Sequence, residues 1–238
     1  LGIVNVVGSS IAREADAVIY TWAGPEIAVA STKAYTVQIS VMYLLAIKFA
    51  MLRGHADEAF AREYTKNLLS VESHMADILK DGQRFQYFAS KFQNAHGLFY
   101  LGRGLDYALS MEGSPKLKEI TYIHSEAYAA GELKHGPISL IVEGTPVIAL
   151  ATQKSLFDKM ASNIKEVKSR GGCVILICGD SCENTSQIAD YVIKLPTVEE
   201  IFMPLLAVAP LQLLAYYTSI LRGCDVDKPR NLAKSVTV

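Results

Sequence analysis

One pattern restricts the fold of this chain more than any other. Ala15-Asp16, Val18-Ile19, Glu26-Ile27, Gln38 and Tyr43 return, without a gap, as Ala189-Asp190, Val192-Ile193, Glu200-Ile201, Gln212 and Tyr217, each 174 positions further on. Shared strand–helix patterning accounts for repeated apolar residues, but an ungapped set that includes Asp, Glu and Gln implies two copies of one unit. In each copy a short β-branched run (17–21 and 189–195) leads through a turn into a long apolar segment (about 29–53 and 201–222). That is strand, turn, helix.

Between the copies the periodicity predicts helices at about 56–81 and 84–95. A strand and turn follow at "GLFYLGRG" (97–104), then a helix over 106–122. "TPVIALAT" (145–152) and "GCVILICGD" (172–180) are strands flanking an amphipathic helix at 154–170. Continuous apolar strands alternating with helices belong to parallel sheets covered on both faces. The expected class is therefore α/β, with two three-layer units. Residues 1–81 would form the later part of the first unit, 82–222 the second, and 223–238 a tail or lid. Because the second copy begins near Gly97, the first, opening on the strand-like "LGIVNVVGSS", is expected to lack roughly its first 75 residues.

Composition removes several function classes. Half the residues are apolar and a fifth charged, which suits a substantial core rather than disorder. The formal net charge is −1 with Lys and Arg scattered, so neither a nucleic-acid footprint nor a polybasic membrane patch is expected. The apolar runs 37–52 and 201–221 approach membrane-span length, but Lys48 interrupts one, and Pro204, Pro210 and Gln212 the other. Both read as buried helices. Cys173, Cys178, Cys182 and Cys224 match no common zinc spacing and are expected as reduced thiols in a cytoplasmic protein. The five histidines give a metal site little support, and no cofactor is called for.

Three segments carry ionisable or polar groups suited to chemistry. On a helix Glu112, Lys116 and Glu119 share a face at i, i+4 and i+7. Such a ladder is commonly a solvated surface feature. Ala108, Leu109, Leu117 and Ile120 leave it little free surface, however, and carboxylates and an amine in a half-dry cleft can shift toward proton-transfer duty. "GELKHGPISL" (131–140) puts His135 where cations, Gly and Pro close a helix, so a helix stop and a catalytic imidazole both fit. "GPEIAVASTKAYT" (24–36) places Ser31 and Thr32 near a helix start, either as caps or as donors to an anion or sugar. The tail "DVDKPRNLAKSVTV" (225–238) mixes Arg230, Asn231 and Lys234 with apolar residues. It is expected to dock on the body, and its lysine is either a plain charge or a lid amine.

Taken together, "GPEIAVASTKA", "LGRG", "EGSPKLKEITYIHSEAYAAGELKHGP", "PLQLLAYY" and the tail resemble the isomerase half of the glutamine–fructose-6-phosphate aminotransferase family, from near residue 1 to the carboxyl terminus. The resemblance implies paired sugar isomerase (SIS) domains and conversion of fructose 6-phosphate and ammonia to glucosamine 6-phosphate. It implies Glu119 as the shuttle between C1 and C2, Lys116 as an aid to proton transfer, and His135, from the neighbouring subunit of a homodimer, as the ring opener. Lys234 would form a Schiff base, with Val29, Ser31 and Ala233 contacting the sugar. A glutaminase domain would complete the full-length protein. Two departures stand out: Ser114-Pro115 replaces the family's usual Ala-Leu, and the phosphate-binding loops would precede Leu1. A deglycase of the same class and a non-catalytic sugar-phosphate sensor are the alternatives. Retention of Lys116, Glu119, His135 and Lys234 together speaks against the sensor.

Overall fold

The computed structural model describes residues 1–234; residues 235–238, the end of the tail motif, lie outside the described residues. The chain opens with β1 (Gly2–Val4), the short helix α1 (Ser10–Glu14) and β2 (Val18–Tyr20), followed by α2 (Lys33–Leu52), α3 (Glu58–Lys80) and α4 (Gly82–Ser90). Then come β3 (Gly97–Gly102), α5 (Leu105–Thr121), β4 (His124–Ala129), β5 (Pro146–Ala151), α6 (Phe157–Lys168), β6 (Cys173–Gly179), β7 (Tyr191–Leu195) and α7 (Met203–Leu221).

The last five strands form one parallel sheet in the order β4-β3-β5-β6-β7, and β1 pairs with β2 in a separate two-stranded parallel sheet. The 174-residue repeat is a repeat of register. Gly2 faces Val18 and Ile3 faces Ile19 in the small sheet; Leu176 faces Val192 and Ile177 faces Ile193 in the large one. The parallel α/β expectation holds.

Alternation along the buried strands divides the core into two layers. Leu98, Tyr100, Ile148, Leu150, Ile175 and Ile177 point to one face, where α4, α5 and α7 pack through Phe85, Leu117 and Leu211. Phe99, Leu101, Val147, Ala149 and Leu176 point to the other, covered by α6 and by the turns that follow β4. Lys116 and Glu119, on α5, belong to the first layer. Leu133, in the 3-10 turn Leu133–His135, is anchored in the second.

Two expectations need correction. His135 does not close an α-helix: α5 ends at Thr121 on a left-handed Tyr122 (φ 61°), and the intervening chain forms β4. β4 is the sheet edge, paired on one side only, so "HSEAYA" carries no apolar run to announce it. The two apolar helices also differ. α7 is buried between the sheet and α4 and α5, whereas α2 packs against α3 and one side of α7 and leaves Met42, Phe49 and Leu52 exposed. Pro115 lies deep inside α5, where it removes an N–H from the helix ladder. Ser114, beside it, ties this turn of the helix to β4. Its hydroxyl donates to Ser125 O (2.9 Å), and the Ser125 hydroxyl donates to Ser114 O (2.9 Å).

Candidate active site

Helix spacing brings Glu112, Lys116 and Glu119 together as expected. Lys116 Nζ lies 3.4 Å from Glu112 Oε1 and 3.8 Å from Glu119 Oε2. The lysine and Glu112 side chains are only 9% and 19% exposed and Glu119 31%, so this is no solvated ladder. Burial pushes the Glu112 carboxyl above its ordinary value against the pull of Lys116, and the Glu119 charge adds to the rise. The Tyr35 hydroxyl of α2 is pushed up to about 12 by burial and by the Glu112 charge. An amine between two carboxylates, one biased toward its protonated form, can accept and return protons.

Lys116 lines a cavity of about 190 Å³. Ala28, Ala30 and Thr32 wall it from the segment before α2, Gln212 and Tyr216 from α7, and Val226 and Asp227 from the tail. The tail docks as its composition predicts. Val29 N–H donates to Asp227 O (3.0 Å). Arg230 N–H donates to the Tyr122 hydroxyl (2.7 Å), and the Arg230 guanidinium sits 4.2 Å from the centre of that ring.

The start of α2 is occupied by the chain's own carboxylate. Thr32 N–H (2.8 Å) and Ala34 N–H (3.3 Å) donate to Glu26 Oε1, and the Ser31 hydroxyl (3.0 Å) donates to Oε2. Lys234 Nζ bonds Glu26 Oε2 (3.2 Å) and Ala28 O (2.9 Å). Burial pushes the Glu26 carboxyl up, but these bonds outweigh it and hold its pKa below the ordinary value. Ser31 thus serves Glu26 here, while Ala233 is exposed beside Lys234. Glu26 was visible in the sequence only as a repeated acid, paired with Glu200 at the same strand-to-helix turn; its role as cap and partner of Lys234 was not foreseen.

His135 stands apart. It is exposed, its N–H bonds Glu132 O (3.1 Å), and among the described residues its side chain makes no hydrogen bond or ion pair with the other candidates. The larger hollows offer less chemistry. One of about 550 Å³ lies on the α2–α3 surface beside the exposed Glu58–Arg62 pair. Another of about 670 Å³ lies at the carboxyl ends of β5, β6 and β7. There the chain meets much of its own polar demand. Buried Asp106, which the sequence reading did not single out, takes the Thr152 hydroxyl (2.6 Å) and N–H (2.8 Å), Glu200 takes Lys154 N–H (3.1 Å), and Thr197 bonds Asp180.

Comparison with known proteins agrees with this architecture. The SIS domain profile matches residues 1–48 and 91–222. Over all 238 residues the chain is 56% identical to proteins named glutamine–fructose-6-phosphate aminotransferase [isomerizing] from Caldanaerobacter subterraneus subsp. tengcongensis and from Clostridium tetani. It spans 39% of the length of each of these curated relatives. The solved C-terminal domain of glucosamine-fructose-6-phosphate aminotransferase from Francisella tularensis superposes with a TM-score of 0.90 at 37% identity, over 94% of this chain and 63% of that one. The chain belongs to the SIS domain family.

Proposed function

We propose that this chain is the isomerase portion of a glutamine–fructose-6-phosphate aminotransferase, which makes glucosamine 6-phosphate from fructose 6-phosphate and glutamine-derived ammonia in the cytoplasm. The observation that carries this reading is the half-dry Glu112–Lys116–Glu119 cluster, whose lysine lines a cavity walled also by Ala28, Ala30 and Thr32, by α7 and by the docked tail. The relatives' names supply the substrate.

In this reading His135 of a neighbouring subunit opens the sugar ring, and the Lys234 amine condenses with the C2 carbonyl, releasing water. Ammonia then displaces the lysine at C2, leaving an imine that makes the C1 proton more acidic. Glu119 removes that proton and delivers it to C2, because one carboxylate near both carbons can serve each end of the transfer. Lys116 assists proton transfer around the imine. Val29, Ser31 and Ala233 line the sugar's path. Residues 1–81 and 82–222 act as successive SIS units, with 223–238 as the lid, in a homodimer whose full-length chain also bears a glutaminase domain.

The test is made on the full-length protein. With fructose 6-phosphate and glutamine it should yield an amino sugar phosphate, and Glu119→Gln should abolish that product while glutamine hydrolysis persists. Wild-type protein that forms no amino sugar phosphate would refute the assignment.

A further inference from the structure

We propose that Gln212 is a substrate-binding residue of the Lys116 cavity, its side-chain amide donating to an oxygen of the bound sugar phosphate. This rests on the reading above. Gln212 is set among apolar side chains of α7, Leu211, Leu213, Leu214 and Ala215, with the Tyr216 hydroxyl the other polar group that the helix brings to the cavity. Yet Gln212 lines the cavity with Lys116, and its amide nitrogen is buried without a hydrogen-bond partner among the described residues.

Buried polar groups are paired in the great majority of cases, because an unmade bond forfeits the water that was given up. Tyr64 and Tyr100 also bury unpaired hydroxyls, but neither lines the cavity. At Gln212 the unpaired donor belongs to a side chain that lines an open volume, shared with a lysine whose two carboxylate contacts are long. The terminal torsion of a glutamine is broad, so a small rotation turns the amide onto a ligand oxygen. Gln212 would then complement the charged groups. Lys116 and Glu119 move protons, while a neutral donor on the opposite wall fixes which oxygen faces them.

The experiment uses the full-length protein with Gln212→Met, which keeps length and apolar packing, and Gln212→Glu, which keeps shape but replaces the donors with acceptors. Fructose 6-phosphate KM, kcat and the melting temperature without ligand are measured for both, with Lys116→Met alongside. Expected for each Gln212 variant is a rise in KM of about tenfold, the scale of one lost hydrogen bond. The melting temperature of Gln212→Met should be unchanged or higher, since an orphan donor is gone. An unchanged KM in both variants overturns the proposal, as does a lowered melting temperature with KM intact, which marks a structural amide. Wild type that neither binds nor converts fructose 6-phosphate overturns the underlying reading instead.

Discussion

Lys234 and Glu26, 208 positions apart, form an ion pair that ties the tail to the start of α2. Glu26 is only 9% exposed and caps the helix through Thr32 and Ala34 while holding the lysine, whose own side chain is 44% exposed. Removing the two partners should therefore have unequal costs. Glu26→Ala uncaps the Thr32 and Ala34 N–H groups and should lose about 1–2 kcal/mol of stability. Lys234→Met should lose under about 1 kcal/mol, because solvent screens a half-exposed amine. Urea unfolding of both variants decides it, and equal losses would show that the cap contributes nothing beyond the ion pair.

The same pair sets a pH dependence. Glu26 has a folded pKa below its ordinary value of 4.5, so on acidification the unfolded chain takes up the proton first. Its contribution to stability is present above the ordinary value and is lost as pH falls through the lowered one. Glu112 acts in the opposite sense. Its raised folded pKa means that stability declines as pH climbs from about the ordinary value through the raised one. Glu26→Gln should flatten the acid limb of a stability–pH curve, and Glu112→Gln should flatten the decline above it. An acid limb unchanged in Glu26→Gln would exclude Glu26 as its source.

Tyr122 anchors the tail a second way, by accepting the Arg230 N–H and by presenting its ring to the guanidinium. Tyr122→Phe keeps the ring and loses the hydroxyl, whereas Tyr122→Leu loses both. Trypsin cleavage after Arg230 should therefore accelerate modestly in the first and several-fold more in the second, since a cation over a ring contributes about 0.5–1 kcal/mol at an exposed site. Identical cleavage rates in the two variants would leave the ring without a role.

The sequence read well wherever physical periodicity was strong and both faces of an element were buried. β5 and β6 appear as unbroken apolar runs for that reason, and the repeat around Asp16 and Asp190 anticipated the shared register. It read poorly where tertiary context decides. β4 is an edge with one partner, so polar residues suffice there. The exposed side of α2 has the same composition as the buried side of α7. No spacing rule could reveal that Glu26 fills the helix start that Ser31 and Thr32 are expected to offer to a ligand, or that Gln212 lines one cavity with Lys116.

Pro115 is a departure whose cost can be measured. Inside a helix, proline costs about 3 kcal/mol relative to a good helix former, through the lost N–H and the clash with the preceding turn. The reciprocal Ser114–Ser125 bonds hold the same turn of the helix against β4. Pro115→Leu should raise stability by about 1–3 kcal/mol, and Ser125→Ala should lower it by a similar amount because Ser114 O and its hydroxyl are buried. Thermal melting of the two variants checks both signs. A less stable Pro115→Leu would mean that the backbone here is shaped by its surroundings rather than burdened by the ring.

His135 poses the sharpest test of subunit sharing. Leu133 fixes its turn on one face of the large sheet, while Lys116 and Glu119 ride on α5 across the other. If the imidazole serves a partner's site, two inactive full-length variants should rescue one another. His135→Ala and Glu119→Gln, each without synthase activity alone, are unfolded and refolded together so that subunits mix. Half the dimers are then hybrids, each with one site holding both native residues, and activity on the order of a quarter of wild type should return. A site built within one chain gives no such recovery, since every site would still contain a lesion. Recovery in the mixture, and none when either variant is refolded alone, would place the imidazole across the subunit boundary.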